Sequence, residues 1–143
     1  MNVTRTVAIK APVAEVYDAF ADLARWNEIL PDVLDVKVLY FDGYHQEFTM
    51  TVERPDGPET VRGVRYCRPH RELELVQTTP PPGFARMCGT WTFREAGGAT
   101  EVTAARDFRL ADGHPASEQE VGERLALLLK DNLGLFKAAV ERG

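Results

Sequence analysis

The amino-acid sequence predicts one α+β domain, in which an antiparallel sheet of six to seven strands packs against a long C-terminal helix. Runs of alternating apolar and polar residues are joined by short turns rich in Gly and Pro, which is typical of a β-meander. One long amphipathic helix follows the strands and can cover a face of the sheet. The chain has 143 residues, 44% of them apolar, which suits a single domain over residues 1–143 with its own core.

The N-terminal segment predicts a strand followed by two short helices. Residues 3–10 alternate in polarity, and Pro12 then suits the first turn of a helix. Apolar residues at helical spacing define this helix: Val13, Val16, Tyr17, Phe20 and Leu23. A second short helix is predicted over residues 25–30, because Pro31 ends it.

Six further strand-like segments precede the long helix. They span residues 33–41, 44–53, 59–67, 72–78, 84–93 and 100–110. Turn sequences such as DG, RPDGP and TPPPG separate them, so consecutive strands are expected to pair antiparallel.

The long helix begins at a capping box, in which Ser117 is followed by Glu120. Its apolar stripe is predicted at every third or fourth residue: Val121, Leu125, Leu128, Leu135 or Phe136, and Ala139. Asn132 interrupts this stripe and would present an amide to the covered face of the sheet.

Composition narrows the classes of function. The net charge of −5 argues against binding of nucleic acid or anionic membranes. The sequence has no membrane-length apolar run and no signal-peptide core, so a cytoplasmic location is expected. Cys67 and Cys88 are not expected to form a disulfide in that compartment, and no metal-binding or nucleotide-binding motif occurs. We therefore expect neither a metal nor a cofactor.

Alternation along the strands predicts which residues face the helix. In the last strand the core face carries Val102, Ala104, Arg106, Phe108 and Leu110. In the strand before it, this face carries Ala85, Met87, Gly89, Trp91 and Phe93. The second of the six segments contributes Phe48, Met50 and Val52. One arginine thus lies on a face that is otherwise apolar, beside a glycine that leaves space.

The segment TVRGVRYCRP, residues 60–69, places a second arginine on that face. Thr60, Arg62, Val64, Tyr66 and Arg68 form the more polar side and are predicted to face solvent. Val61, Gly63, Arg65 and Cys67 then face inward. A guanidinium stays charged and is costly to bury without a partner, and inward carboxylates are scarce in this pattern.

Two inward arginines, two inward glycines and Asn132 together predict a partly hydrated cavity between sheet and helix. Simpler interpretations remain open for each residue alone. An arginine in a strand can extend its head group past the sheet edge, and Asn132 can cap a loop carbonyl. Trp91 can be a core residue, and the two cysteines can be inert small side chains.

The N-terminal stretch VAIKAPVAEVYDAFADLARWNEILPDVLDVKVL resembles the signature of the START-like, or helix-grip, superfamily. The order of elements is also that of this superfamily. The resemblance implies a curved sheet wrapped around the C-terminal helix, and a ligand-binding cavity between the two.

A second stretch, PPPGFARMCGTWTFREAGGATEVTAARDFRL, is similar to bacterial aromatic polyketide aromatase/cyclases of the tetracenomycin type. The C-terminal DNLGLFKAAVER resembles the last helix of that family. The similarity covers nearly the whole chain without large gaps.

The resemblance assigns roles to individual residues. Trp26 matches a tryptophan at the pocket mouth, and Met87 and Trp91 match residues that line the pocket. Arg106 stands at a polar pocket position, often Gln in the family, and Asn132 matches the pocket asparagine.

The sequence departs from the family at several pocket positions. Cys67 occupies the position of the family's arginine, and Arg65 lies two residues earlier on the same face. The family has a tyrosine where this chain has Val33, and aromatic residues where this chain has Val61 and Gly63. These replacements imply a differently shaped pocket.

The resemblance implies a linear poly-β-ketone substrate presented by an acyl carrier protein. The implied reaction is an intramolecular aldol closure followed by dehydration to an aromatic ring. Arg65, Arg106 and Asn132 are the expected catalytic residues, with water, Tyr17 or Tyr66 as candidate base. The expected substrate-binding residues are Trp26, Phe48, Met50, Gly63, Cys67, Met87, Gly89, Trp91, Phe108 and Leu128. A monomer or weak homodimer is expected.

Two other classes of function stay open at this point. One is a non-catalytic carrier or sensor of a hydrophobic small molecule, and the other is an adapter for a chaperone or a membrane quinone pathway. A pure carrier of an apolar ligand is not expected to keep two inward arginines, which favours the enzyme.

Overall fold

A computed structural model describes all 143 residues and contains seven strands and three α-helices. The strands are β1 (Asn2–Ile9), β2 (Val33–Phe41), β3 (His45–Val52), β4 (Glu59–Arg68), β5 (Glu72–Thr79), β6 (Phe84–Ala96) and β7 (Ala99–Leu110). The helices are α1 (Val13–Ala21), α2 (Trp26–Ile29) and α3 (Glu118–Glu141), and a 3-10 turn over Leu23–Arg25 precedes α2. The predicted α+β class and order of elements are confirmed.

The strands form one antiparallel sheet with the order β1-β7-β6-β5-β4-β3-β2. From β2 to β7 each strand pairs with the next along the chain, as expected for a meander with short turns. The first strand pairs with the last, so β1 and β2 lie at opposite edges of the sheet.

The predicted capping box starts α3. Ser117 Oγ accepts a hydrogen bond from the Glu120 backbone N–H at 3.1 Å, and Glu120 Oε1 accepts one from the Ser117 backbone N–H at 3.4 Å. The buried stripe of α3 is rotated from the predicted one. Its buried residues are Val121, Gly122, Ala126, Leu129, Leu133, Phe136 and Val140. Leu135 is exposed, because Phe136 takes the core-facing position.

The main core lies between the inner face of the sheet and the helices α1 and α3. Phe20 of α1 stacks on Phe136 of α3 with ring centroids 4.0 Å apart, which fixes the two helices against each other. A smaller cluster of Met87, Phe108 and Val121 closes the end of the sheet beside the start of α3.

One prediction of exposure and one prediction of face are wrong. Val64 was expected in solvent but is buried on the outer face, where Glu47 and Val76 flank it across the strands. Ala85 was expected in the core but is exposed, because the β6–β7 register shifts between Phe84 and Arg86. The shift turns Phe84 toward Phe108 instead, with ring centroids 5.8 Å apart.

No helix of the structure is long and apolar enough to cross a membrane. The longest, α3, has 24 residues, and several of them are charged.

Candidate active site

One row of inward-facing residues crosses the sheet and carries both predicted arginines. Arg65 in β4 pairs with Gln46 in β3 and with Leu75 in β5. Leu75 pairs with Gly89 in β6, and Gly89 pairs with Arg106 in β7. The two arginines therefore start three strand spacings apart, about 14 Å across the inner face of the sheet.

Arg65 is completely buried, with 0% of its surface exposed. Its Nη1 donates to Phe20 O at 2.9 Å and its Nη2 donates to Ala21 O at 2.8 Å. Its Nε donates to Gln46 Oε1 at 2.9 Å. These acceptors occupy three of the five N–H donors of the guanidinium.

The Arg65 guanidinium thus caps the C-terminal end of α1. Phe20 and Ala21 are the last residues of that helix, where carbonyl groups lack partners inside the helix and carry partial negative charge. Trp26 reinforces the same junction, because its Nε1 also donates to Phe20 O at 3.0 Å. Burial lowers the pKa of Arg65 to about 10, so the side chain remains a cation at neutral pH.

Arg106 lies in a different environment from Arg65. Its only hydrogen bond with the protein runs from Nη1 to Ala105 O at 2.8 Å, and no carboxylate pairs with it. The guanidinium carbon lies 4.4 Å from the centroid of the Trp91 ring, and this cation–π contact stabilises the positive charge. Nε and Nη2 have no protein acceptor and are not sealed from the cavity. Burial lowers the pKa of Arg106 to about 10, so this group is also a cation at neutral pH.

Gly89 makes the position of Arg106 possible. A Cβ atom at Gly89 would lie 2.9 Å from both Cδ and Nη1 of Arg106, and it would also collide with Ala105 O. Only a residue without a side chain lets the arginine lie across β6 toward Trp91.

A cavity of about 160 Å³ separates the inner face of the sheet from α3. Fourteen of its 22 lining residues are hydrophobic. The polar lining residues are Asp32, Arg54, Glu59, Arg65, Gln77, Arg106 and Asn132. The cavity is therefore apolar in its walls, with a few polar groups at defined points.

The mouth of the cavity lies where the lining becomes charged and exposed. Asp32 precedes β2, and Arg54 and Glu59 flank the β3–β4 turn with Arg54 Nε 3.9 Å from Glu59 Oε2. From α3, half-buried Leu128 and Asn132 border the cavity, and the Asn132 amide forms no hydrogen bond with the protein.

Six of the ten predicted substrate-binding residues line the cavity: Trp26, Phe48, Met50, Met87, Trp91 and Leu128. All three predicted catalytic residues, Arg65, Arg106 and Asn132, line it as well. Gly89 lies beneath Arg106, and Gly63 faces the Phe48 ring. Phe108 lies below the cavity floor against Met87, and Cys67 lies outside the cavity.

Neither tyrosine considered as a base lines the cavity. Tyr66 lies on the outer face, where its ring packs against Tyr44 and His45. Tyr17 packs against Phe93 and His70, beside the thiol of Cys67. Burial and the neighbouring thiol raise the pKa of Tyr17 well above its usual range, so it stays protonated.

Two glutamines of the site were missed by the sequence reasoning. Gln46 is 3% exposed and holds Arg65 through its side-chain oxygen. Gln77 lines the cavity. Alternation along each strand would have placed both on the inner face, together with Phe48 and Leu75.

Comparison with known proteins finds a matching family, related sequences and solved structures of the same fold. A family described as polyketide cyclase/dehydrase and lipid transport matches residues 1–141. The granaticin polyketide synthase bifunctional cyclase/dehydratase of Streptomyces violaceoruber is 29% identical over 140 residues. That alignment covers 96% of this chain and 43% of the relative, so the chain spans less than half of the relative's length.

Solved structures match the whole fold. The Zhui aromatase/cyclase from a Streptomyces species superposes with a TM-score of 0.86 at 21% identity, covering 99% of this chain and 94% of that one. The di-domain ARO/CYC BexL superposes with a TM-score of 0.85 at 30% identity, covering 99% of this chain and 50% of that one. The predicted helix-grip fold is thereby confirmed.

Proposed function

The chain belongs to the polyketide cyclase/dehydrase and lipid transport family, and from this premise we propose that it is an aromatase/cyclase acting on a linear poly-β-ketone. The observation that carries the proposal is Arg106. It is a cation with free N–H donors, held over Trp91 in a cavity whose walls are mostly apolar.

The apolar walls would fold the flexible substrate and exclude water. A cavity of about 160 Å³ is close to the size that holds one benzene ring, which is the unit that a single aldol closure forms. The rest of the chain would extend toward the mouth. Holding the two reacting carbons together removes an entropic barrier to ring closure.

In the first step, a methylene between two ketones gives its proton to a water molecule, and the resulting enolate carbon bonds to a distant ketone carbon. The π electrons of that ketone move to its oxygen. Arg106 Nε and Nη2 would donate hydrogen bonds to this oxygen as negative charge develops on it.

In the second step, the new alkoxide takes up a proton, and loss of this hydroxyl with a neighbouring C–H proton releases one water. Enolisation of the remaining ring ketones completes the aromatic ring. Asn132, with its free amide, would orient a ketone or the water that accepts the first proton. Arg65 would add its positive charge while holding α1 against the sheet.

The alternative of a passive carrier for an apolar molecule fits this cavity less well. An apolar ligand would strip water from Arg106 Nε and Nη2 and return no hydrogen bond, which costs binding free energy. A polyketone returns those hydrogen bonds through its carbonyl oxygens.

The proposal extends to the partner and the location. A free poly-β-ketone cyclises unspecifically in water, so delivery on an acyl carrier protein at the cavity mouth would protect it. Such a pathway would operate in the cytoplasm. A monomer or weak homodimer stays a prediction.

The test is reconstitution with a minimal polyketide synthase and chromatographic analysis of the products. Wild-type protein should shift the products toward one first-ring pattern. Arg106→Met, which removes the donors, should reduce that fraction at least about tenfold, as expected for the loss of a charge-assisted hydrogen bond in the transition state. Arg106→Gln should retain part of it.

The matched control is Arg109→Met, because Arg109 lies on the same strand but is exposed on the outer face. It should give the wild-type product pattern. Unchanged products from Arg106→Met would contradict the proposal.

A further inference from the structure

Trp91 carries a free hydrogen-bond donor in the interior of the protein. The residue is only 5% exposed, yet its indole Nε1 has no acceptor in the protein and is not sealed from the cavity that the ring lines. Buried tryptophans usually find a partner for this N–H group, because an unpaired donor costs free energy. A phenylalanine would supply the same apolar wall without that cost, so the indole N–H requires an explanation.

The neighbouring Trp26 provides the contrast within the same cavity. The two rings pack edge to face with centroids 5.7 Å apart, and both line the cavity. Trp26 Nε1 donates to Phe20 O at 3.0 Å, so this N–H group stabilises the fold. Trp91 Nε1 has no such partner and is available to a ligand.

The sheet directs the Trp91 ring toward the helix side. The residue pairs with Leu73 of β5 and with Ala104 of β7, and both of these neighbours are buried and apolar. The ring borders the main cavity of about 160 Å³ and an adjoining space of about 30 Å³ that Asn132 also lines. The accessible part of the indole therefore faces these two spaces.

Two cations strengthen the Trp91 donor. The guanidinium carbon of Arg106 lies 4.4 Å from the centroid of the ring, and that of Arg65 lies 5.5 Å from it. A cation over an aromatic face attracts the π electrons, which leaves the N–H group more positive. The Arg106 guanidinium and the Trp91 indole can only donate, so both favour an oxygen with free lone pairs.

We propose that Trp91 is a specificity-determining residue whose indole N–H binds a carbonyl oxygen of the ligand, beside the guanidinium of Arg106. The inference rests on the proposed function for the identity of the ligand, because a poly-β-ketone has a carbonyl at every second carbon and can meet both donors at once. An apolar ligand of the same shape leaves both donors unpaired. A site built to hydrogen-bond an oxygen discriminates strongly against an analogue that lacks it.

The first test follows the two tryptophan indole N–H resonances of the wild-type protein by two-dimensional proton–nitrogen NMR. Replacement of either tryptophan by phenylalanine assigns them. The probes are acetophenone and α-methylstyrene, which share one shape and carry a carbonyl and a methylidene group, respectively. Saturating acetophenone should move the Trp91 proton resonance downfield relative to α-methylstyrene, because a hydrogen bond deshields the proton. The Trp26 resonance should differ much less between the probes, because its N–H already donates to Phe20 O.

The second test compares the dissociation constants of the two probes, measured by calorimetry, in wild type and in Trp91→Phe. The substitution keeps an aromatic wall and removes the donor, so the preference for acetophenone should fall about three- to tenfold. The melting temperatures of the free variants provide the control for folding. Trp26→Phe removes a donor from Phe20 O and should lower the melting temperature more than Trp91→Phe, which breaks no hydrogen bond within the protein.

Equal Trp91 shifts with both probes, an unchanged preference in Trp91→Phe, or failure of the wild type to bind acetophenone would overturn the inference. The expected shift and preference without any cyclisation by the reconstituted synthase would refute the proposed activity and keep Trp91 as a donor to ketones. Cyclisation without the shift would have the reverse meaning.

Discussion

Two arginines on the same row of the sheet have different physical tasks. Arg65 gives three of its donors to Phe20 O, Ala21 O and Gln46 Oε1, so it holds the end of α1 to the sheet. Arg106 makes one hydrogen bond, to the carbonyl of its own neighbour. The first is committed to the fold, and the second is available to a ligand.

This contrast predicts opposite effects on stability. Arg65→Met removes three hydrogen bonds at once and leaves Gln46 Oε1 without its donor, so it should lower the free energy of unfolding by about 3–5 kcal/mol. Arg106→Met removes a half-buried charge that has no ionic partner and should change the free energy of unfolding by less than about 1 kcal/mol. Urea denaturation of the two variants beside wild type measures both values. Equal losses in the free energy of unfolding would contradict this contrast, because they would show that both guanidinium groups stabilise the fold to the same extent.

At the residue scale, alternation along the strands was enough to predict that Arg65 and Arg106 point inward. It was not enough to predict their partners. The two backbone acceptors of Arg65 lie 44 and 45 residues earlier, at the end of a helix, and their approach depends on how α1 packs on the sheet. Gln77 was missed because its free amide becomes evident only when every neighbour has been placed.

The β6–β7 hairpin is the element that shapes the cavity. It pairs over the full length of both strands apart from one shift near Phe84, and this shift reverses the predicted direction of Ala85. Gly89, near the middle of β6, leaves the depression in which Arg106 lies. A site on paired strands holds its side chains more rigidly than one on loops.

Replacement by alanine at two different glycines should therefore change the free energy of unfolding in opposite directions. Gly89→Ala forces a Cβ against Arg106 and Ala105 O, and it should lower the free energy of unfolding by about 1–3 kcal/mol. Gly134→Ala on α3 meets no atom within 4 Å and should raise it by about 0.5–1 kcal/mol, because alanine favours a helix. Thermal unfolding of both variants measures these changes. An unchanged stability of Gly89→Ala would contradict the prediction, because it would mean that the hairpin shifts to accommodate the extra methyl group.

Element order and the pairing of consecutive strands from β2 to β7 followed from the sequence, because turn residues and period-two alternation are local signals. The pairing of β1 with β7 joins the two ends of the sheet-forming segment and was not predicted. The rotation of the buried stripe on α3 was not predicted. Leu125, Leu128 and Asn132 border the cavity and remain half-buried, whereas the fully packed stripe lies beside them. Apolar residues that border a cavity follow the same helical spacing as residues packed in the core, so the sequence does not distinguish the two groups.

On the scale of the whole molecule, the cavity is the space left between the sheet and the long helix. The sheet supplies the arginines and Gln77, and α3 supplies Asn132 and an apolar cover. Part of the main core, including Trp26, Phe48 and Trp91, forms walls of the cavity, whereas half-buried Leu128 borders the cavity without belonging to that core. Filling the cavity should therefore stop the proposed reaction without unfolding the protein.

The most direct measurement is the product profile of a reconstituted minimal polyketide synthase supplied with Leu128→Trp. Leu128 lines the cavity from α3, so the larger ring should occupy the space of the substrate and reduce regiospecific cyclisation to the level without the protein. Leu127→Trp, one residue away and 58% exposed, should give the wild-type profile. Wild-type products from Leu128→Trp, with its fold intact, would contradict the claim that ring closure takes place in this cavity.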